Sequence, residues 1–174
     1  MPGAARAVAA LNAAGLPVIL ATNQRWLSER RPNLSSYAAV HERLEHLLAR
    51  EGAWLDAAYH CPHPPGVCDC RKPAPGMLWR AAREHGLDLS RTVLAGDSDA
   101  DVAAGRAAGT ATILIRGAGD ASADADAVVR DLDAAVRLIL HAAVHPGRPR
   151  EPLRGRPGQQ CDGERQIVPQ VPAS

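Results

Sequence analysis

From its amino terminus the chain alternates between two hydrophobic periods. Gly3 to Ala14 puts Ala and Leu on one helical face and stops at Gly15, a residue suited to the turn past a helix end. Leu16-Pro-Val-Ile-Leu-Ala21 is continuously apolar, the signature of a strand buried on both faces. Apolar residues at 37, 40, 44, 47 and 48 then repeat at helical spacing, predicting a helix from Tyr37 to Glu51 capped by Ser35 or Ser36. Trp54 to Tyr59 predicts a short strand, and Pro75 to His85 a helix with proline at its start and Gly86 past its end. Thr92 to Ala95 predicts a buried strand running into Gly96-Asp97, and Asp99 to Ala108 a helix stopped by Gly109. Ala111 to Ile115 and Ala127 to Val129 predict two more strands, and Leu132 to Ala142 the last helix.

Repeated strand–helix alternation implies an α/β fold, a parallel sheet with helices on both faces. Functional groups in such sheets gather at the carboxyl ends of the strands. Thr22-Asn23, the Cys61 region and Asp97 all fall there. Residues 145–174 hold six Pro and four Gly with little apolar periodicity, which predicts a disordered tail. The expected organisation is one domain over 1–144 and a tail over 145–174.

Composition narrows the partners. The 174 residues carry a net charge of +1 with no basic stripe, so neither nucleic acid nor an anionic membrane is an expected partner. No apolar run approaches the roughly 18 residues of a membrane span, and no signal-peptide pattern opens the chain. A cytoplasmic protein is the expectation. The chain has 34 Ala and 19 Arg but a single Lys, Lys72. Where Arg serves as the general surface cation, the one Lys is a candidate for a specific task.

Three of the four cysteines lie in Cys61-Pro-His63-Pro-Pro-Gly-Val-Cys68-Asp-Cys70. Cys61, His63, Cys68 and Cys70 supply three thiolates and an imidazole, a closed tetrahedral Zn²⁺ set of the structural kind. A disulfide, unrelated thiols or a redox pair at Cys68 and Cys70 are the competing readings; the cytosolic setting disfavours the disulfide. Cys161, in the tail, reads as a free thiol, His60 as lying outside the metal set, and His41, His46 and His85 as surface residues.

Three other segments suit phosphate chemistry. Thr22-Asn23-Gln24 offers a hydroxyl and loose backbone N–H groups at a strand end, although an ordinary strand-to-helix turn has the same form. Arg71-Lys72 puts two cations ahead of a proline-stiffened helix entry; a compact ammonium suits bridging a phosphate and a carboxylate, and a solvated charge pair is the plain alternative. Gly96-Asp97-Ser-Asp99-Ala-Asp101 places carboxylates where Mg²⁺ would find oxygen ligands, or where Asp simply caps a helix.

Together, Ala21-Thr-Asn-Gln24, Tyr59-His-Cys-Pro-His63, Cys68-Asp-Cys-Arg-Lys-Pro73, Pro75-Gly-Met-Leu78 and Gly96-Asp-Ser98 through Asp101-Val-Ala-Ala-Gly105 resemble the haloacid dehalogenase (HAD) superfamily. The likeness is to its subfamily IIIA, the small Zn-containing heptose-bisphosphate and histidinol phosphatases. It implies a Rossmann-like HAD fold with a small Zn loop and a Mg²⁺-dependent phosphomonoesterase working through an aspartyl-phosphate. It further implies that Thr22 holds the phosphoryl group with Asn23 beside it, and that Lys72 neutralises charge there. Arg71 would contact substrate phosphate, Asp97 would ligate Mg²⁺ and Asp101 would steady the loop. The expected substrate is a sugar bisphosphate, D-glycero-D-manno-heptose 1,7-bisphosphate losing its 7-phosphate, with histidinol phosphate as the alternative; the full-length enzyme is expected to be a monomer.

Two departures from the pattern matter. The family's Asp-x-Asp at the end of its first strand, source of the nucleophile, has no counterpart ahead of Gly3, and that strand is central in the family's sheet. The expectation is an N-terminally shortened phosphatase whose 174-residue form is inactive and poorly stable alone, or a Zn-binding pseudoenzyme. Arg25-Trp-Leu-Ser-Glu-Arg-Arg31 also departs from the family's usual run after Gln24, on the side that shapes substrate choice.

Overall fold

The computed structural model describes residues 3–24, 34–116 and 124–144. Helices α1 (Ala4–Ala13), α2 (Leu34–Ala49), α3 (Gly76–His85), α4 (Asp99–Ala108) and α5 (Leu132–Val144) alternate with strands β1 (Ile19–Asn23), β2 (Ala57–Cys61), β3 (Val93–Gly96), β4 (Ala111–Ile115) and β5 (Ala127–Val129). A 3-10 turn at Leu89–Arg91, not foreseen from the pattern, is capped by the Asp88 carboxylate accepting from Ser90 N. The expected tail with Cys161, and the segment Arg25 to Arg31, lie outside the described residues.

Chain punctuation explains most boundaries. Gly86 and Gly109 close α3 and α4 in the left-handed conformation, which an L side chain resists. Pro75 precedes α3, where its missing N–H costs no helical bond. Helix α4 starts with a capping box: Ser98 Oγ accepts from Asp101 N, and the Asp101 carboxylate accepts from Ser98 N. Two expectations are corrected. Helix α2 begins at Leu34, so Ser35 and Ser36 lie inside its first turn instead of capping it. Strands β1 and β2 start later than expected, because Pro17 and Asp56 belong to an entry in which Val18 N donates to the Asp56 carboxylate and Asp56 N donates to Val18 O.

All strand pairs are parallel, but among the described residues they form two sheets, β1–β2 and β3–β4–β5. The helices do not share this division. On one face α3 packs against β1 and β2 and also meets α4, which covers β3 and β4; on the other, α1 joins α2 to α5. One apolar cluster holds Tyr59, Cys61, Met77 and Ala81, and a second holds Val8, Leu48 and Ala53 with Val18 and Leu132 beside it. The split corrects the burial expectation: β1 and β3 are half-buried along their length, whereas the middle of β4 is buried. An apolar strand with a neighbour on only one edge keeps the other edge accessible.

Candidate active site

The carboxyl ends of the strands gather the chemistry, as an open parallel sheet requires. Thr22 and Asn23 end β1, Cys61 ends β2, and Asp97 follows β3. Thr22 pairs in register with His60, and Asn23 with Cys61. Alternation along β2 turns Tyr59 and Cys61 toward α3, while the His60 ring lies 4.5 Å from that of Tyr37 on α2. His60 is therefore turned away from the other metal-type ligands. Burial, then the nearby His41 and Arg80, hold its pKa below the ordinary histidine value.

Cys61, His63, Cys68 and Cys70 converge as expected, their ligand atoms all within 4.8 Å of one another. The sulfurs are separated by 3.5 Å (Cys61–Cys68), 3.3 Å (Cys61–Cys70) and 3.2 Å (Cys68–Cys70). His63 Nδ1 lies 3.6 Å from Cys61 Sγ and 3.3 Å from Cys70 Sγ. Tetrahedral Zn²⁺ with S and N ligands has edges of about 3.8 Å between sulfurs and about 3.5 Å from sulfur to nitrogen. These residues fit such an ion once the sulfurs spread by up to about 0.6 Å. The three thiols are free, their sulfurs 3.2 Å or more apart against about 2.05 Å in a disulfide. Their environments differ: burial pushes the Cys61 and Cys70 thiols up, and at Cys68 burial acts the same way but hydrogen bonds from Cys70, Cys61 and the Arg71 and Cys70 backbone together pull the thiol down.

A glycine that sequence reasoning passed over fixes this loop against α3. Gly76 N donates to Asp69 O at 2.9 Å, and a Cβ at Gly76 would collide with that carbonyl and crowd Cys70 Cα. The Pro75-Gly76 pair was the signal: glycine at a helix start, just after a ligand loop, admits a close backbone approach.

Lys72 leaves this loop and reaches between the two sheets. Its ammonium donates to Ala21 O at 2.7 Å and lies 2.5 Å from the Asp101 carboxylate, with the two side chains 12% and 7% exposed. Asn23 fixes the Lys72 backbone from both sides, its Nδ2 donating to Lys72 O (3.0 Å) and its Oδ1 accepting from Lys72 N (3.1 Å). The amide thus positions the lysine backbone. Asp101 is buried, which opposes ionisation, yet hydrogen bonds from Lys72 and from Ser98 (Oγ, 2.6 Å) hold its carboxyl below the usual range. Gly96 makes room for it, since a Cβ there would occupy the space of the Asp101 side chain.

Around this centre Thr22 Oγ1 accepts from Gln24 Nε2 at 3.0 Å, which leaves its own proton to donate. Arg71 Nη1 donates to His63 O at 3.1 Å, tying that cation to the cysteine loop. Asp97 is exposed at the end of β3. Asp99, beside it in the sequence, pairs with Arg116 at 3.1 Å from the end of β4, a pair not anticipated from the sequence. A shielded cation, a hydroxyl donor and an open carboxylate thus stand at or near the carboxyl ends of β1 and β3.

The family model described as HAD-hydrolase-like matches residues 69–137. The D-glycero-beta-D-manno-heptose-1,7-bisphosphate 7-phosphatase of Pseudomonas aeruginosa is 38% identical over 117 residues, covering 67% of this chain and 66% of that protein. The chain thus spans just under two thirds of that relative's length. The D-glycero-D-manno-heptose-1,7-bisphosphate 7-phosphatase of Thermosynechococcus vestitus is 41% identical over 160 residues, covering 80% of this chain and 82% of the relative. Among solved structures, D,D-heptose 1,7-bisphosphate phosphatase from B. bronchiseptica, complexed with magnesium and phosphate, superposes with a TM-score of 0.74 at 34% identity, covering 81% of this chain and 83% of that one.

Proposed function

The chain belongs to the HAD-like hydrolase family that includes the heptose-1,7-bisphosphate 7-phosphatases, and from that premise we propose that it is a phosphomonoester hydrolase whose substrate is a sugar bisphosphate. D-glycero-D-manno-heptose 1,7-bisphosphate, losing its 7-phosphate, is the substrate favoured by the names of its relatives. The observation that carries the reading is the Lys72 ammonium between Ala21 O and Asp101, with Thr22 on the same strand end.

Each residue then has a task set by its surroundings. Lys72, shielded from water, opposes the negative charge of the phosphoryl group where the low dielectric makes it most effective. Asp101 orients Lys72 from one side, and Asn23 holds its backbone from the other. Thr22 donates its hydroxyl proton to a phosphate oxygen. Arg71, anchored at His63 O, supplies a second cation on the substrate side. Asp97 would hold Mg²⁺, an ion that binds through oxygen ligands and neutralises phosphate charge when present. Cys61, His63, Cys68 and Cys70 would hold Zn²⁺ with no open position, so that ion would brace the loop carrying Arg71 and Lys72.

The division of the sheet beside Lys72 favours a second reading, a chain that binds zinc and phosphate without turning substrate over. One assay separates the two. The protein is supplied with Mg²⁺ and heptose 1,7-bisphosphate, with histidinol phosphate in parallel, and released phosphate and the phosphate retained on the sugar are followed by ³¹P NMR. Loss of the 7-phosphate supports the hydrolase. Inorganic phosphate binding that Asp97→Asn weakens, without release from either substrate, supports the binding protein. Neither release nor binding refutes both.

A further inference from the structure

The cysteine loop is held firmly at its two ends and loosely between them. Cys61 is fixed at the end of β2, fully buried, with its carbonyl accepting from Gln24 N at 2.8 Å. Cys70 is clamped from the other side: Gly76 N donates to Asp69 O at 2.9 Å, and the Cys70 Cα lies where any side chain at Gly76 would be crowded. Asn23 then holds both backbone groups of Lys72. Between these anchors residues 64–67 are exposed, Val67 to 64%. Cys68 follows that stretch and is half-buried. It is the thiol that combines access to an aqueous reagent with a backbone free to shift.

The Cys68 sulfur lies 3.5 Å from that of Cys61 and 3.2 Å from that of Cys70. Either bridge would need Cys68 to move, since a disulfide is about 2.05 Å long. A bridge to Cys70 would span a single intervening residue, which works against the dihedral of about 85–100° that a relaxed disulfide takes. A bridge to Cys61 instead closes the ring 61–68, whose exposed middle absorbs the shift. His63 sits inside that ring, and its carbonyl accepts from Arg71 Nη1 at 3.1 Å. Lys72 is held from outside the ring, by Ala21 O, Asn23 and Asp101.

We infer that Cys68 and Cys61 form a redox switch that hydrogen peroxide closes, and that closing it frees Arg71 while leaving Lys72 in place. The inference rests on the reading of Cys61, His63, Cys68 and Cys70 as zinc ligands. The Cys68 thiolate attacks the peroxide, the O–O bond breaks, and a sulfenic acid forms as hydroxide leaves. The Cys61 thiolate then attacks that sulfur; an S–S bond forms, the S–O bond breaks and a second hydroxide leaves. Two electrons pass from the two sulfurs to the peroxide, and two protons from solvent turn both hydroxides into water. Cys70 and His63 remain, two ligands where a closed tetrahedral site needs four, so the ion is released. The new S–S bond braces the loop in the ion's place. Contraction of the ring draws His63 O away from Arg71, and the substrate side loses an anchored cation while the shielded ammonium stays.

The test uses the zinc-loaded protein carrying Cys161→Ser, which confines the thiols to the loop. An equimolar amount of hydrogen peroxide releases the zinc, read with a colorimetric chelator, and removes two hydrogens from the mass of the chain. Peptide mapping places the bridge between Cys61 and Cys68, and dithiothreitol with added zinc reverses both changes. Two side-chain reagents read the consequence. Modification of Arg71 by butanedione rises about fivefold on oxidation, the factor for one hydrogen bond lost. Acetylation of Lys72, the single lysine and so one assignable site, is unchanged. Zinc retained with its thiols still reduced overturns the inference, as does a bridge at Cys70 or a sulfinic acid formed without a bridge. Arg71 reactivity that stays level overturns it too, and Lys72 acetylation that rises with that of Arg71 does so in favour of a loop that melts as a whole. A reduced chain that holds no zinc refutes the metal reading and this inference with it; every other failure leaves the metal reading standing.

Discussion

Replacing Lys72 by Met keeps the length and apolar stem of the side chain and removes only the ammonium. Asp101, 7% exposed, then lacks its cation, and Ala21 O loses its donor. Removing one partner of a buried ion pair costs about 3–5 kcal/mol. Ser98 continues to donate to Asp101 through Oγ and N, which places the expected loss at the lower end, about 3 kcal/mol at pH 7. The pH dependence carries the diagnosis. In the parent, Asp101 has a depressed pKa, so its contribution is present above the unfolded value of about 3.9 and is lost as the pH falls through the folded value. In Lys72→Met the buried carboxylate lacks compensation and prefers to be protonated, so acid relieves the variant while it weakens the parent. Urea unfolding monitored by circular dichroism between pH 7 and pH 4 measures both effects. The stability gap narrows on acidification. A gap under about 1 kcal/mol at pH 7, or one that does not change with pH, would refute the bridge as the source of stability.

Other outcomes follow from the same contacts. Chelation should release about one Zn²⁺ per chain and melt the cysteine loop, and Cys70→Ser should bind the ion far more weakly; mass spectrometry under native conditions that finds no zinc on a folded chain counts against this. Gly76→Ala forces a methyl into Asp69 O, at a cost of about 1–3 kcal/mol and a weaker metal site, whereas Gly86→Ala, with open space around its Cβ, strains only its own backbone and should leave zinc affinity unchanged in a competition titration. Burial and the Glu84 carboxylate push the Tyr59 hydroxyl up to about 12. Its contribution to stability is thus complete below pH 10 and lost between pH 10 and 12, so Tyr59→Phe should flatten the thermal stability profile across that window; an unchanged slope refutes it.

Much of the site could be read without coordinates because its signals are local. The spacing of Cys61, His63, Cys68 and Cys70 constrains one short loop, so chemistry and geometry coincide there. Helix α4 and strands β4 and β5 match their expected bounds because Asp99, Gly109 and alternating apolar runs mark them within a few residues. Helix α2 shows the limit of local signals: two serines resembled a cap, and the helix began before them. Asn23 shows another. Its position at a strand end was legible, but its engagement with the backbone of Lys72, 49 residues away, was not.

The order of elements, the parallel α/β class, the cluster of metal-type ligands and the candidate cation are determined by the sequence alone, because hydrophobic period, glycine and proline positions and side-chain chemistry act over a few residues. Only the tertiary structure decides that the described strands divide into β1–β2 and β3–β4–β5, that Lys72 reaches from Ala21 O on β1 to Asp101 on α4, that Asp101 is the buried partner, and that Gly76 must be bare of a side chain. Those facts depend on contacts between residues far apart in the chain. The physical reason is that a local pattern states how much surface a segment will bury, while the packing of helices across both faces chooses what it is buried against.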